Sequence, residues 1–171
     1  MIKIIITGFM GSGKSTVGRA LARQLNCPLI DLDQTIEREE GRSARQIIEE
    51  DGEPRFRDLE NQMLAKVLAD STVQVVALGG GAWISEKNRQ LIRDQGGVSV
   101  WLDAPFDLCW KRIAASGAGR PLARSEADAG ILFAERRPSY ELAEVHIETT
   151  WHNSVDEIAT EIIQALAHRK D

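Results

Sequence analysis

Near the start of the chain, nine residues have the types and spacing of a phosphate-binding loop. Residues 8–16 read GFMGSGKST, so Gly8 is followed after four residues by Gly13, Lys14 and Ser15. Such glycines let backbone N–H groups point at an anion, and the helix that follows adds the positive end of its dipole. Lys14 can reach the β- and γ-phosphates of a nucleotide, and Ser15 can join the shell of a Mg²⁺ ion. Because every fixed position of the P-loop pattern matches, we predict a bound nucleoside triphosphate rather than a plain glycine-rich turn.

Two aspartates supply carboxylates after the second apolar segment, in the sequence DLD at 31–33. Alternation along a strand would place Asp31 and Asp33 on one side and Leu32 on the other. One carboxylate can hold Mg²⁺ through its water shell, and the other can orient or deprotonate an acceptor hydroxyl. The alternative is that one of them, Asp33 in particular, caps the following helix. Asp103 competes for the metal role, but the Ala-Pro that follows it indicates a helix cap.

Three consecutive glycines at 79–81 follow the third apolar segment. Glycines in a row weaken a structure unless something approaches the backbone closely, and a small ligand lying over them would explain the run. Arg57 is followed three residues later by Glu60, so the two share a helix face. Arg57 is thus a candidate ligand-binding residue, with a surface ion pair as the alternative.

Five short apolar runs, separated by helical patterns, must position these residues: 2–7, 28–32, 73–78, 98–102 and 145–149. Near-continuous apolar runs indicate strands buried on both faces, and alternation with helices indicates a parallel sheet. We therefore predict a three-layer α/β fold with helices on both sides of the sheet. Ligands of such sheets bind beyond the carboxyl ends of the strands, where the loop, DLD and the glycines would meet.

Helical periodicity follows the P-loop and ends before Pro28, and it recurs over 54–69, after Pro105 and after Ser154. Ser154 and Glu157 form a capping-box pattern at the start of the last helix. The segment 115–130 is poor in large apolar residues, which indicates either a surface loop or a mobile lid. There is no internal repeat and no linker, so the sequence predicts one domain over 1–171, with acceptor-binding helices around 33–60.

Composition limits the partners. With 171 residues, 43% hydrophobic and 27% charged, the chain is typical of a globular domain. A net charge of −5 argues against general affinity for nucleic acid. Cys27 and Cys109 are far apart, which indicates reduced thiols and the cytoplasm. The three histidines lack metal-ligand spacing, and no segment is long enough to cross a membrane or typical of a signal peptide.

Six motifs together resemble the shikimate kinase family, in order and over nearly the whole chain. They are GFMGSGKST, DLD at 31–33, FRDLE at 56–60, LGGGA at 78–82, GRPL at 119–122 and RRPSY at 136–140. The resemblance implies an adenylate-kinase-like P-loop fold whose five parallel strands lie in the order 2-3-1-4-5. It also implies transfer of the γ-phosphoryl group of ATP to the 3-hydroxyl of shikimate, with Mg²⁺, in aromatic amino-acid biosynthesis. We expect a monomer.

The resemblance also implies a role for individual residues. Asp33 corresponds to the aspartate that binds the shikimate hydroxyls, and Gly80 and Gly81 to the backbone beneath the ring. The carboxylate clamp corresponds to Arg57 and Arg136. The implied catalytic residues are Lys14, Asp33 and Arg120, the last of these closing as part of the lid at 115–130. The implied ATP contacts are Gly11, Ser12, Gly13, Lys14, Ser15, Thr16, Arg112, Arg120 and His152. The implied metal ligands are Ser15 and, through water, Asp31.

Two departures and three alternatives accompany this interpretation. WHNS at 151–154 replaces the Asn-Pro that often flanks adenine in the family, and Trp83 after the glycines is unusual. Another P-loop kinase, for example one acting on gluconate, would not need two carboxylate-binding arginines together with DLD and GGG. A nucleotide-dependent regulatory protein is the alternative from another class, but the Asn-Lys-x-Asp that selects guanine is absent. A pseudoenzyme should have lost Lys14, Asp33 or Arg120, and all are present.

Overall fold

A computed structural model describes residues 2–117 and 124–169. In these ranges five strands form one parallel sheet in the order β2-β3-β1-β4-β5. The strands are β1 (Lys3–Thr7), β2 (Leu29–Asp31), β3 (Val75–Ala77), β4 (Gly97–Asp103) and β5 (Val145–Glu148). The predicted parallel sheet and the strand order implied by the resemblance are both confirmed.

Eight α-helices connect or follow the strands in the described ranges. They are α1 (Lys14–Gln24), α2 (Leu32–Glu40), α3 (Ala44–Asp51), α4 (Glu53–Ala69), α5 (Glu86–Asp94), α6 (Phe106–Ala115), α7 (Glu126–Tyr140) and α8 (Val155–His168). A single 3₁₀ turn over Ala82–Ile84 follows the glycine run. The predicted capping box is present at α8, where Ser154 accepts from the Glu157 N–H and Glu157 accepts from the Ser154 N–H.

Alternate residues of β1 face opposite sides of the sheet and belong to two separate cores. Ile4 and Ile6 pack with the apolar faces of α1 and α8, whereas Ile5 packs with α4 and the residues around the glycine run. All three isoleucines are almost completely buried. Because side chains of a strand alternate between faces, the continuous apolar run of β1 fills both cores, which explains why its three isoleucines leave no polar face. In the described residues, no helix is long and apolar enough to span a membrane.

Two predicted local features were wrong. β2 ends at Asp31 and α2 begins at Leu32, so DLD is a strand-to-helix junction and strand alternation does not relate its two aspartates. The helix cap is Asp31, whose carboxylate accepts from the Gln34 N–H, and Asp33 lies inside the first turn. Asp103 is not a cap either: α6 begins after Pro105, and the Asp103 carboxylate binds Arg137.

Candidate active site

The P-loop wraps around the N-terminus of α1 at the carboxyl end of β1. Gly13 adopts a left-handed conformation with φ 98°, and none of the described side chains caps α1. Gly11 is also left-handed, and a Cβ there would lie 2.6 Å from the Cys109 carbonyl oxygen. Only glycine fits such a position, because the α6 backbone lies so close behind the loop. The first N–H groups of α1 and the loop are therefore arranged to receive an anion.

Lys14 is the first residue of α1, and its side chain folds back over the loop. Its Nζ donates to the carbonyl oxygens of Gly8 and Phe9, both at 2.9 Å. Lys14 is only 9% exposed, so the ammonium lies inside the loop rather than in solvent. The charge is thus already held at the centre of the anion site.

Ser15 and Asp31 meet at one side of the loop. The Ser15 hydroxyl donates to the Asp31 carboxylate, whose other oxygen accepts from the Gln34 N–H at 3.1 Å. Both residues line a cleft of about 350 Å³ together with Lys14 and Asp33. A hydroxyl and a carboxylate oxygen beside a phosphate site are the donors that Mg²⁺ uses, so this pair fits the predicted metal position.

Each of the three glycines lies against a charged side chain. A Cβ at Gly79 would lie 2.4 Å from a carboxylate oxygen of Asp33, and a Cβ at Gly81 would lie 2.4 Å from the Arg57 guanidinium. A Cβ at Gly80 would lie 3.5 Å from Nη1 of Arg136. Gly79 and Gly81 therefore leave the space that the Asp33 and Arg57 side chains occupy, whereas a Cβ at Gly80 would meet Arg136 at an ordinary contact distance.

Arg57 and Glu60 form an ion pair in which the Glu60 carboxylate is buried. Arg57 donates to Glu60 at 2.5 Å and to Glu53 at 2.8 Å, and the Glu60 side chain is only 1% exposed. Burial raises the pKa of Glu60 to about 7, although the neighbouring Arg57 lowers it. The ion pair considered as an alternative is present, but its Glu60 carboxylate lies inside the protein rather than at the surface.

Arg136 reaches the same place from α7 and is only 8% exposed. Tyr140, one helical turn later, donates its hydroxyl to the carbonyl oxygen of Gly80 at 2.5 Å, and the Arg136 guanidinium lies against the same glycine. Arg57 and Arg136 both line a smaller cleft with Asp33 and Gly80, and Asp33 and Gly80 also line the cleft at the loop. The two clefts therefore adjoin at Asp33 and Gly80, and the two arginines line the smaller cleft only.

The family model of shikimate kinase matches residues 10–167 of the chain. The chain belongs to the shikimate kinase family. It is 43% identical to a shikimate kinase of Cereibacter sphaeroides and 38% identical to that of Ruegeria pomeroyi, over 98% of this chain and 84% and 86% of theirs. Membership makes it a small-molecule kinase, and the predicted family is confirmed.

Solved structures agree with this family assignment. Shikimate kinase from Acinetobacter baumannii in complex with shikimate superposes with a TM-score of 0.91 at 33% identity, covering 99% of this chain and 95% of that one. The Aquifex aeolicus enzyme gives 0.83 at 32% identity, with 99% and 98% covered. A gluconokinase from Sinorhizobium meliloti gives 0.61 at 21% identity, with 98% and 93% covered, a likeness that shows the shared fold alone.

The remaining residues that were predicted to contact the nucleotide differ in how close they lie to the P-loop. Arg112 on α6 donates to the Gly11 carbonyl oxygen at 3.1 Å and so lies directly on the loop. His152 is in the exposed turn before α8, where the neighbouring Trp151 ring packs under Lys111 of α6 at 4.7 Å. Arg120 lies outside the described residues, as does the middle of the predicted lid at 115–130.

Three features of the site were missed or misplaced by sequence reasoning. Tyr140 holds the Gly80 backbone, and its spacing of four residues from Arg136 was the available signal. Trp83, noted in the sequence only as unusual, is 2% exposed and donates to the Ser139 carbonyl oxygen at 2.8 Å, so it packs beneath the glycine loop. Glu60 was recognised only as a surface partner of Arg57, since a helical pattern gives no measure of burial.

Proposed function

We propose that this chain transfers the γ-phosphoryl group of ATP to the 3-hydroxyl of shikimate, giving shikimate 3-phosphate and ADP. The observation that carries the proposal is the continuity of the phosphate loop with a cleft closed by Arg57 and Arg136, with Asp33 between them. Shikimate is a small anion with three hydroxyls, which matches two guanidinium groups and one carboxylate. Among P-loop kinases this set of groups favours a hydroxy-acid acceptor.

The nucleotide half of the reaction uses the loop backbone and Lys14. In this proposal the Lys14 ammonium exchanges the Gly8 and Phe9 carbonyl oxygens for phosphate oxygens, a short movement within the same loop. Phosphoryl transfer needs alignment and neutralisation of charge more than covalent help from the protein. A buried ammonium provides that neutralisation more strongly than an exposed one, because little water screens it.

The acceptor half uses Asp33 as proton acceptor and the two arginines as the carboxylate clamp. The Asp33 carboxylate lies against Gly79, at the junction of the two clefts, which is where an acceptor hydroxyl would face the nucleotide. Arg57 is oriented by Glu60 and Glu53, and Arg136 is buried against Gly80. With the carboxylate end of the acceptor fixed, one hydroxyl is brought towards Asp33.

Mg²⁺ belongs to this proposal because Ser15 and Asp31 fit it. Ser15 would ligate the ion directly, and Asp31 would hold it through water. When bound, the ion supplies neutralisation of the β- and γ-phosphate oxygens. We also propose that Arg120 and the segment 115–130 cover the reacting groups, and that the enzyme acts as a cytoplasmic monomer in the pathway to aromatic amino acids.

An ADP-release assay with a panel of acceptors tests the proposed function. Shikimate, gluconate and a nucleoside monophosphate are each offered with ATP and Mg²⁺, and a reaction without acceptor reports hydrolysis. We expect release with shikimate to exceed release with gluconate by about 10²-fold or more, since a site built for a substrate's polar groups rejects analogues strongly. Release with gluconate or the nucleotide, and none with shikimate, would contradict the proposal.

A further inference from the structure

A cluster of four side chains lies at the carboxyl ends of β4 and β5, next to the acceptor site but outside it. Arg137 donates to both oxygens of Asp103, at 2.7 and 2.9 Å, and His146 Nε2 lies 2.9 Å from the second of these oxygens. The Trp101 and His146 rings stack with their centroids 4.4 Å apart, and the Arg137 guanidinium lies over the Trp101 ring, 4.9 Å from its centroid. We call these residues the Asp103 cluster. Nothing in the proposed reaction uses them.

The arginine–aspartate contact has the two-bond geometry that fixes both partners. The Asp103 side chain is only 12% exposed, whereas Arg137 is 40% exposed. Asp103 is the last residue of β4, so its position is set by the sheet. Bidentate pairs of this kind orient a guanidinium more strictly than a single bond does. Arg137 thereby ties one turn of α7 to the edge of the sheet.

That turn of α7 lacks one of its own hydrogen bonds. Pro138 lies inside the helix, directly after Arg136 and Arg137. A proline has no N–H, so the carbonyl oxygen of Ala134 loses its normal helical partner and the helix is locally weakened. The direction in which Arg136 leaves the helix is therefore determined in part by contacts that α7 makes with the rest of the protein.

The Asp103 cluster also touches Tyr140, which contacts the same glycine as Arg136. Trp101 stacks on Tyr140 with ring centroids 6.3 Å apart, Tyr140 donates to the Gly80 carbonyl oxygen, and the Arg136 guanidinium lies against Gly80. Arg137 and Tyr140, both in the last turn of α7, thus pack on the same Trp101 indole. Arg136, on the same turn, is buried against Gly80.

We infer that Arg137 is a positioning residue for the acceptor: its fork on Asp103 sets the last turn of α7 and so aims Arg136 at the substrate carboxylate. This inference rests on the proposed function, because it assigns Arg136 to carboxylate binding. Lysine in place of Arg137 keeps the charge but loses the fork and the flat stacking on Trp101. Small displacements of a binding group are costly because the contact requires a defined geometry.

The test compares Arg137→Gln, Arg137→Lys and Asp103→Asn with the wild type, using shikimate and ATP dissociation constants from calorimetry. We expect shikimate affinity to fall about tenfold in each variant, equivalent to about 1.4 kcal/mol, with ATP affinity within twofold of wild type. Arg23→Gln is the matched control, because it removes an exposed ion pair to Asp156 and neither residue lines the two clefts. It should change neither constant. Arg137→Lys carries the test if Arg137→Gln does not fold.

A double-variant cycle separates positioning from general stability. In an Arg136→Ala background, Arg137→Gln should have no further effect on shikimate affinity, because the residue it positions is gone. Unchanged shikimate affinity in the single variants, equal losses for both ligands, or additive losses in the double variant would each overturn the inference. If the wild type binds no shikimate, the proposed function has failed instead, so the two failures are distinguishable.

Discussion

Replacement of Arg57 by methionine tests the acceptor clamp most specifically. The apolar side chain of methionine is similar in length to the aliphatic part of arginine. Arg57→Met therefore removes only the guanidinium, which lies against Gly81. A charge-assisted hydrogen bond to a carboxylate contributes about 1.5–3 kcal/mol. We therefore expect the shikimate dissociation constant to rise about 10- to 150-fold. ATP affinity should stay within twofold, because Arg57 lines the acceptor cleft and not the loop cleft.

The same replacement leaves Glu60 without its cationic partner. Because Glu60 is 1% exposed and its pKa is already about 7, loss of Arg57 raises that pKa further and favours the protonated carboxyl. Some stability is therefore lost together with affinity. Combining Arg57→Met with Glu60→Gln removes the buried carboxyl and should recover stability without recovering shikimate affinity.

Calorimetric titration with shikimate and with an ATP analogue measures both constants, and thermal unfolding measures stability. Arg55→Met is the matched control, since Arg55 is exposed on the same helix two residues away. It should bind both ligands as the wild type does. Shikimate affinity within twofold of wild type in Arg57→Met would refute the clamp, and equal losses for both ligands would assign Arg57 to the nucleotide or the fold.

Three further predictions concern Glu60, Lys14 and the two aspartates. Because burial raises the pKa of Glu60 from 4.5 to about 7, its contribution to the free energy of unfolding is fully present below pH 4.5 and is lost as pH rises through 7. The free energy of unfolding measured in urea should differ less between pH 5 and pH 8 in Glu60→Gln than in the wild type. An unchanged difference would contradict this prediction. Lys14→Met should abolish turnover and, since Lys14 is buried, also shift the melting temperature; a normal rate would refute the P-loop role. Asp33→Asn should lower the rate about 10²- to 10⁴-fold at any magnesium concentration, whereas Asp31→Asn should recover much of its rate in excess magnesium. Rescue of Asp33→Asn by magnesium would reverse the two roles.

The parts of the fold that were predicted correctly depend on local signals. The isoleucines of β1 make both faces of that strand apolar, and the P-loop has a fixed spacing over nine residues. Both can therefore be recognised without knowledge of distant contacts. The capping box at Ser154 is likewise complete within four residues. The strand order came from the family resemblance, because periodicity alone does not order strands.

The features that were wrong or missed depend on distant contacts or on where an element ends. Asp103 was interpreted as a cap because its partner Arg137 lies 34 residues away. Asp31, rather than Asp33, caps α2 because β2 stops one residue earlier than its apolar pattern indicates. Sequence also could not show that Glu60 is buried, since the same i,i+3 spacing to Arg57 occurs on solvent-exposed helices.

Phosphorus NMR of the product formed from ATP and shikimate tests the central claim most directly, because it reports both transfer and position. The account predicts one new phosphate monoester whose phosphorus couples to the proton on carbon 3 of shikimate, in an amount equal to the ADP formed. The Lys14→Met enzyme should give no such signal. Inorganic phosphate as the only new phosphorus species, or an ester on another hydroxyl, would contradict the account.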